Sequence, residues 1–291
     1  MSLRVVEVVG QASVQDMGRP GHAHTGVPRG GAADTLSLRL ANIAAGNTPD
    51  TAGVEMAMGR LVLEAMTPCR VAFSSGERAL EAIDLRVGDR VEACPSAGLC
   101  RAYVAVTGGL GVSSVLGSGS TLLSAGLGGF EGRALRAGDV LPIGESSGEP
   151  VPIPAWVRAM LALTLRRRVL RVTTYGAQTQ CPTGLLQVSN KADRVGVRLE
   201  RSVPARAIDT GPSMGVLHGT VQAPSTGELV ILGPDGPTTG GYATVGTIIA
   251  ADLPAVGQLC PGQWVRLEAV GREEALACLR QRTEAVVRLV G

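Results

Sequence analysis

Short runs of alternating or uniformly apolar residues, rich in valine, leucine and isoleucine, recur along most of the chain. Glycine or proline closes nearly every run, which is typical of short β-strands joined by turns. The pattern therefore predicts a mainly β protein. The segments that fit it best are residues 2–9, 70–73, 89–93, 101–107, 140–143, 169–172, 230–232 and 245–249.

A few segments instead carry the apolar spacing of an amphipathic helix. In residues 35–45, Asp34 stands where an N-cap is expected and Gly46 follows as a stop signal. Residues 154–167 form a second predicted helix. The third covers residues 272–289, where the apolar spacing predicts a face that packs on a barrel.

Length and composition indicate two domains. A chain of 291 residues is long for a single hydrophobic core, and aromatic residues make up only 2% of it, so aliphatic side chains must build the core. Residues 144–154 are polar and proline-rich without periodicity, as linkers are. We therefore expect an N-terminal domain of residues 1–148 and a C-terminal domain of residues 149–291.

Charge and targeting signals exclude several classes of function. The net charge is only +2, and no dense run of Lys and Arg is interleaved with aromatic residues, which argues against nucleic-acid binding. No window approaches the roughly 18 apolar residues of a membrane helix, and the first residues do not read as a signal peptide. We expect a cytoplasmic protein with no membrane partner.

Cysteine and histidine are too scattered to predict a metal site. The six cysteines form no CxxC pair, and the three histidines supply only the weak pair His22 and His24, so we expect reduced core thiols and no metal. The position of this pair beside Arg19 leaves a contact with substrate open. The sequence shows no recognisable Ser-His-Asp or Cys-His motif, which argues against hydrolysis through an acyl-enzyme intermediate.

The polar segment 234–242 is the strongest candidate site. Two prolines restrict its backbone, three glycines allow backbone amides to approach a ligand, and Asp235, Thr238 and Thr239 add donors and acceptors. A plain hairpin turn remains the structural alternative.

A second polar block near the N-terminus makes a family resemblance specific. It includes Gln15-Asp16 and Gly18-Arg19 within residues 13–21 and continues through residues 26–34. Further blocks follow in order at residues 41–42, 46–47, 54–55, 103–109, 128–133, 192–199, 219–224, 238–242 and 261–263. With these blocks the chain resembles the allophanate hydrolase subunit 2 family, which is also known as the family of the 5-oxoprolinase C subunit.

The resemblance implies a fold and a reaction. The fold is two cyclophilin-like β-barrel domains with a few peripheral helices. The reaction is the ATP-dependent opening of 5-oxoproline to glutamate, with ATP, accompanied by Mg²⁺, as cofactor. The implied partners are an allophanate hydrolase subunit 1-like protein and a separate hydrolase subunit. Phosphoryl transfer to the lactam oxygen would create an electrophilic carbon, and arginines and amide-rich loops stabilise the developing negative charge.

The resemblance also places the candidate site residues. Salt bridges are the structural alternative for the arginines, and helix capping is the favoured role of Asp34. The candidate catalytic residues are Arg19, Arg133, Arg194 and Asp235. The candidate substrate- or nucleotide-binding residues are Gln15, Asp16, Asn42, Asn47, Glu55, Ser118, Ser120, Arg198, Gln222, Thr238, Thr239, Gly240, Gly241 and Tyr242.

Two other functions stay open. The family is similar to the carboxyltransferase part of urea carboxylase, which receives carboxybiotin. The only lysine, Lys191, lacks a neighbouring methionine, so any biotin would arrive on another protein. Similar subunits also act as antagonists that bind an inhibitor of a sporulation kinase, which would make the chain a regulatory protein.

The chain departs from the family pattern at several positions. Gly119 stands where the family has arginine, Pro237 stands where it has glutamine, and the stretch between residues 178 and 188 is shorter. The enzymatic interpretation requires folding to bring the arginine-bearing N-terminal block and the Thr238–Gly241 hairpin to a common concave surface. We therefore predict that these two segments lie on one concave surface.

Overall fold

The computed structural model describes residues 1–75, 79–145, 148–174, 177, 180–201 and 212–290. The shortened stretch noted above lies partly outside these residues. The chain separates into two compact units. Unit 1 comprises Met1–Arg19, Gly30–Ala162 and Val286–Gly291, and unit 2 comprises Pro20–Arg29 and Leu163–Ala285. The expected boundary after residue 148 stays a prediction.

Unit 1 is built on one antiparallel sheet. Its strands are β1 (Ser2–Gln15), β2 (Gly53–Ala65), β3 (Cys69–Phe73), β4 (Ala82–Leu85), β5 (Arg90–Ala93), β6 (Arg101–Val106) and β7 (Val140–Pro142). The order is β4-β3-β6-β2-β1-β7, and β5 pairs with β2. The sheet forms a half-barrel, whose core consists of alternate apolar side chains of these strands.

The pairing of β1 with β2 carries the polar N-terminal motif into the sheet. The register runs from Leu3 opposite Ala65 to Gln15 opposite Gly53. The register shifts between Val9 and Gln11, and a Cβ on the intervening Gly10 would clash with the Met58 carbonyl oxygen, so this position needs glycine. The strand therefore continues well beyond the predicted residues 2–9 and delivers Gln15 to the edge of the core.

Helix α1 (Thr35–Ala44) confirms the predicted capping signals. The Asp34 carboxylate accepts hydrogen bonds from the Ser37 amide at 3.0 Å and from the Ser37 hydroxyl at 2.5 Å. Gly46 follows the helix with φ +83°, in the left-handed region that glycine favours. A 3₁₀ turn at Leu123–Ala125 also lies in unit 1.

Unit 2 contains a closed barrel. Its strands are β8 (Val169–Thr173), β9 (Leu186–Val188), β10 (Gly196–Arg201), β12 (Thr220–Ala223), β13 (Leu229–Leu232), β15 (Ala243–Ile248) and β16 (Trp264–Ala269), closed in the order β10-β13-β12-β15-β8-β16-β9. Strands β8 and β16 are parallel and the other pairs are antiparallel. A separate pair joins β11 (Met214–Gly215) to β14 (Thr239–Gly240).

The remaining helices are α2 (Ala155–Leu165), α3 (Leu253–Gly257) and α4 (Arg272–Val290), with a 3₁₀ turn at Ala23–Thr25. The second and third predicted helices are thus confirmed as α2 and α4. None of the helices in the described part of the chain combines the length and apolarity needed to cross a membrane. The predicted mainly β fold is confirmed; its cyclophilin-like character stays a prediction.

Candidate functional site

A buried ion pair stands at the centre of the polar motifs of unit 2. Arg194 Nε donates to Asp235 Oδ2 at 2.8 Å, and Nη2 donates to Oδ1 at 2.9 Å. Both side chains are only 5% exposed. The Asp235 amide also donates to the Arg194 carbonyl oxygen at 3.1 Å. Two predicted catalytic residues therefore form one rigid, bidentate contact.

Local turn chemistry positions Arg194. The Asp193 carboxylate accepts hydrogen bonds from the amides of Val195 at 2.8 Å and Gly196 at 2.9 Å, which fixes the turn that enters β10. The Gly233 amide donates to the Val195 carbonyl oxygen at 2.8 Å. The turns that carry Arg194 and Asp235 are thus tied together through their backbones.

The Thr238–Gly241 hairpin is held by β11. Met214 pairs with Gly240 and Gly215 with Thr239, and the Val216 amide donates to the Thr238 carbonyl oxygen at 2.9 Å. The segment before β12 therefore lies along the predicted loop. Its neighbour Tyr242 is 46% exposed.

Gln222 of β12 lies directly behind this hairpin. Its side chain is buried, and its Nε2 has no hydrogen-bond partner among the described residues. A Cβ at Gly240 would lie 2.5 Å from Nε2, so only glycine leaves room for the amide in this position. A buried amide donor without a partner costs free energy unless a ligand or water satisfies it. The fold therefore brings Gln222 and Gly240, two of the predicted binding residues, next to each other.

His218 is a member of this neighbourhood that no sequence motif singles out. It sits in the turn between β11 and β12, half-buried. Burial, and next the charges of Arg29 and Arg194, lower the pKa of its imidazole to about 4. The side chain is therefore neutral at neutral pH. A lone histidine gives no sequence signal for such an environment, because its charged neighbours come from distant segments.

Arg198 takes part in a different contact. Its Nη1 donates to Glu228 Oε1 at 2.6 Å, with the arginine side chain 41% exposed. This is the surface ion pair that was the structural alternative for each candidate arginine. A role for Arg198 in binding stays a prediction.

In unit 1, Asp16 organises the second polar cluster. Its Oδ1 accepts from the Gly18 amide at 2.7 Å and from the Ser118 hydroxyl at 2.6 Å, and its Oδ2 accepts from the Gly119 amide at 2.6 Å. The Ser118 and Ser120 hydroxyls lie 2.7 Å apart. The carboxylate thus joins the end of the β1 motif to the serine-rich loop.

Arg19 and Gln15 extend the same cluster inward. Arg19 is 1% exposed, and its guanidinium donates to the carbonyl oxygens of Ser120 and Val115. Gln15 Nε2 donates to the Ser13 hydroxyl at 2.9 Å and to the Thr121 carbonyl at 3.1 Å. Its buried Oε1 has no hydrogen-bond partner in the described ranges.

Glu55 belongs to a separate buried network. The Tyr103 hydroxyl donates to Glu55 Oε2 at 2.7 Å and accepts from the Asp34 amide at 2.8 Å. The Ala33 amide donates to Oε2 at 2.9 Å, and Arg101 Nε donates to Oε1 at 3.3 Å. Burial, then Glu55, raises the pKa of Tyr103 well above its usual value. These contacts fasten the start of α1 to the sheet.

Asn42 and Asn47 tie the end of α1 to the following loops. Asn42 Nδ2 donates to the Thr51 carbonyl at 2.7 Å. Asn47 Nδ2 donates to Asn42 Oδ1 at 3.1 Å and to the Val106 carbonyl at 2.8 Å, and its Oδ1 accepts from the Gly108 amide at 2.8 Å. Both amide groups have clear structural contacts, and their binding roles stay predictions.

Arg133 is held by two carboxylates. Its guanidinium contacts Asp139 at 2.8 and 2.9 Å and Glu131 at 2.7 and 3.0 Å, and it lies over the Phe130 ring at 5.2 Å. The hydrogen bond to Arg133 holds the pKa of Asp139 below its usual value. Arg133 is thus an ion-paired side chain of unit 1, and its catalytic role stays a prediction.

The predicted site residues therefore form clusters within each unit. Unit 1 gathers Gln15, Asp16, Arg19, Ser118 and Ser120, whereas Glu55, the Asn42–Asn47 pair and Arg133 have contacts of their own. Unit 2 gathers Arg194 with Asp235, and Gln222 with the hairpin. No three His, Cys, Asp or Glu side chains within the described ranges are grouped to hold a metal ion. The common surface for both motif blocks stays a prediction.

Comparison with known proteins identifies the family. Residues 25–269 match the sequence profile of the carboxyltransferase domain, subdomain A and B, so the chain belongs to this family. It is 33% identical to the 5-oxoprolinase C subunit of Escherichia coli (strain K12), over 94% of this chain and 93% of that protein. The Haemophilus influenzae 5-oxoprolinase C subunit is 29% identical over 96% of this chain and 94% of its own length. The resemblance predicted from the sequence is confirmed.

Larger proteins contain a similar region. The chain is 27% identical to urea amidolyase of Lachancea kluyveri over 95% of its own length, but it spans only 17% of that protein. The solved structure of the K. lactis urea amidolyase matches with a TM-score of 0.83 at 25% identity, covering 99% of this chain and 20% of that one. The chain thus corresponds to one part of those proteins.

Proposed function

We propose that this chain is the C subunit of an ATP-dependent 5-oxoprolinase, which opens 5-oxo-L-proline to L-glutamate. The observation that carries the proposal is the similarity to the 5-oxoprolinase C subunit of E. coli over 94% of this chain and 93% of that protein. In this proposal the chain works with an allophanate hydrolase subunit 1-like protein and a separate hydrolase subunit in the cytoplasm. ATP, accompanied by Mg²⁺, is the cofactor of the complex.

The chemistry explains why a preorganised polar site is needed. A lactam carbonyl is unreactive because the nitrogen donates electron density into it, and ATP would supply a phosphoryl group to the lactam oxygen. The side chains of this subunit would bind the substrate and stabilise the negative charge that develops on oxygen. Buried, fixed donors do this better than mobile surface groups, because they need no reorganisation during the reaction.

The buried amide groups support such a role. In unit 2, Gln222 Nε2 is a donor without a hydrogen-bond partner among the described residues, and a carbonyl or phosphoryl oxygen would satisfy it. In unit 1, the buried acceptor Gln15 Oε1 also has no hydrogen-bond partner among the described residues, and an N–H group of a ligand would satisfy it. In the proposal Gln222 orients an oxygen of the substrate, and Arg194, fixed by Asp235, supplies positive charge in unit 2.

Reconstitution tests the proposal. The purified chain is combined with its subunit 1-like partner and the hydrolase subunit, and 5-oxoproline-dependent release of ADP is measured together with glutamate. We expect equal amounts of both products, and neither product when this chain is omitted. Lack of turnover in the full mixture, or turnover that does not need this chain, contradicts the proposal.

The family match and the similarity to urea amidolyase favour a second candidate. In that candidate the chain is a carboxyltransferase that receives carboxybiotin from a carrier on another protein. The same preparation is given a carboxybiotin-loaded carrier with urea as acceptor. Loss of carboxybiotin that depends on urea and on this chain, without 5-oxoproline-dependent ADP release, selects this candidate over the first.

A further inference from the structure

Gln15 lies on a buried polar face of the unit 1 sheet. Side chains alternate along β1, so Ala12 and Val14 enter the apolar core while Ser13 and Gln15 point to the opposite face. Ser13 and Gln15 are nevertheless only 2% and 0% exposed. The sheet therefore buries polar side chains on the side that faces away from its apolar core.

Two hydrogen bonds fix the orientation of the Gln15 amide. Its Nε2 donates to the Ser13 hydroxyl at 2.9 Å and to the Thr121 carbonyl oxygen at 3.1 Å. Thr121 is itself held on β1, because its amide and its hydroxyl both donate to the Val14 carbonyl oxygen. An exchange of the amide nitrogen and oxygen of Gln15 would bring two carbonyl oxygens together, and a carbonyl oxygen only accepts hydrogen bonds. Oε1 is therefore the atom that faces away from Ser13 and Thr121.

The Gln15 Oε1 atom is a buried acceptor that receives no hydrogen bond from the described part of the chain. Leaving such an atom unsatisfied costs free energy. Gly53 stands directly opposite Gln15 on β2 and has no side chain that could serve as a donor. A donor group of a ligand would remove this cost.

The amide lies at the end of the β1–β2 ladder. Gln15 and Gly53 form the last pair of the register. The residues just beyond them, Asp16 and Ala52, are half-buried. Accessible surface therefore begins one residue beyond the amide on both strands, and a small ligand would approach Oε1 from this end.

The substrate of the proposed reaction carries one group that fits an unsatisfied acceptor. At neutral pH, 5-oxoproline has an ionised carboxylate and a lactam carbonyl, which only accept hydrogen bonds, and a single donor, the ring N–H. An acceptor that contacts this molecule can form a hydrogen bond only with the N–H. The lactone analogue, 5-oxotetrahydrofuran-2-carboxylate, has a ring oxygen in that position and would place two acceptors against each other.

We propose that Gln15 Oε1 accepts a hydrogen bond from the ring N–H of the substrate and thereby selects a lactam over the corresponding lactone. The inference rests on the proposed function, because it takes 5-oxoproline as the substrate. Gln15 is then a specificity-determining residue, whose amide nitrogen holds the side chain in place while its amide oxygen contacts the substrate. A buried polar group that the ligand must satisfy discriminates strongly against an analogue that lacks the donor.

Binding of the two ring compounds tests the inference without turnover. The dissociation constants of 5-oxo-L-proline and of the lactone are measured by isothermal titration calorimetry on the assembled complex without ATP. We expect the wild-type complex to bind the lactam about a hundredfold more tightly than the lactone, and this preference to fall to about threefold or less in Q15M. Q15M removes the acceptor at nearly constant volume, so general damage to the site would weaken both ligands and leave their ratio unchanged.

A glutamine on the same strand provides the matched control. Gln11 is exposed, and Q11M should keep the wild-type preference for the lactam. If Q15M does not fold, Q15N serves as the second variant. It keeps an amide but withdraws it by one methylene, and it should lose the preference as well.

The inference is overturned if the wild-type complex binds lactam and lactone equally, or if Q15M keeps the wild-type preference. Weaker binding of ADP to Q15M with an unchanged preference would assign the acceptor to the nucleotide. Unchanged binding of the lactam, the lactone and ADP would leave Oε1 to a structural water. Both of these outcomes also overturn it.

The outcomes separate this inference from the proposed function. A preference that depends on Gln15, without ADP release by the assembled complex, leaves the contact standing and removes the reaction. Turnover with a preference that Q15M does not change removes the contact alone. If the wild-type complex neither binds 5-oxoproline nor turns it over, both proposals fall.

Discussion

Arg194 and Asp235 face each other through two hydrogen bonds of 2.8 and 2.9 Å, with both side chains 5% exposed. A third bond links their backbones at 3.1 Å. A contact of this kind fixes a guanidinium in position, but it also leaves a buried charge behind when one partner is removed. A variant at either position is therefore expected to change the stability of the protein as well as the placement of the guanidinium.

Removal of the Asp235 charge should destabilise the protein strongly. D235N leaves the Arg194 guanidinium buried without its counter-charge, which we expect to cost about 3 kcal/mol of the free energy of unfolding. E228Q removes the carboxylate of the exposed Arg198–Glu228 pair and should cost less than about 1 kcal/mol. Urea denaturation followed by circular dichroism compares the two variants. Equal losses would show that burial of the Arg194 pair is energetically unimportant.

Gly240 and Gly215 form a matched pair of substitutions in the small β11–β14 sheet. A Cβ at Gly240 would lie 2.5 Å from Gln222 Nε2, whereas a Cβ at Gly215 meets nothing within 4 Å. G240A must therefore displace the Gln222 amide, and we expect a loss of about tenfold to a hundredfold in complex activity. G215A should retain the wild-type rate.

The stability of G240A should change little, since the displaced group is the end of a flexible side chain. Melting temperatures of both variants check this point. If G240A is as active as G215A, the position of the Gln222 amide does not matter for the reaction.

Asp16 should be essential for the stability of unit 1. D16A removes three charge-assisted hydrogen bonds, to Gly18, Ser118 and Gly119, and we expect a loss of about 3 kcal/mol. The exposed Asp50, which pairs with Arg39, provides the control D50A, with an expected loss below about 1 kcal/mol. Thermal and urea unfolding measure both. A D16A protein as stable as D50A would contradict the structural role.

The depressed pKa of His218 predicts a specific pH dependence of stability. The pKa is about 4 in the folded protein and 6.5 for an unperturbed histidine, so below pH 6.5 the unfolded chain takes up a proton that the folded chain does not. Wild type should therefore lose stability relative to H218Q as the pH falls from 6.5 to about 4. Above about pH 7 the difference between them should be constant. A difference that stays constant across the whole range would show that the histidine titrates normally.

Local signals were sufficient to predict parts of the fold. Helix α1 begins after Asp34 and ends before Gly46, as predicted. An N-cap and a glycine with left-handed backbone conformation depend only on nearby residues, so both signals can be recognised in the sequence. Most strands could likewise be predicted, because each is a short segment rich in β-branched residues that ends at a glycine or proline turn. Helix α3 (Leu253–Gly257) is not predicted from the sequence, because a five-residue segment that includes Pro254 is too short to show the apolar spacing of a helix.

Contacts between distant segments could not be predicted in the same way. The motif at residues 54–55 makes Glu55 a candidate, but its contacts with Tyr103 and Arg101 follow from the register of β2 with β6. His218 owes its low pKa to burial and to Arg29 and Arg194, whose positions only the fold determines. The sequence shows which polar residues are clustered in motifs. It does not show which carboxylate each arginine pairs with, because the partners come from distant segments.

The rate of 5-oxoproline-dependent ADP release by the assembled complex tests the central claim most directly, with R194K compared against R266K. R194K keeps the charge but loses the bidentate contact with Asp235, so we predict a loss on the order of a hundredfold, while R266K at its exposed position retains the wild-type rate. Equal rates for R194K, R266K and wild type, or no ADP release from the wild-type complex, would contradict the account.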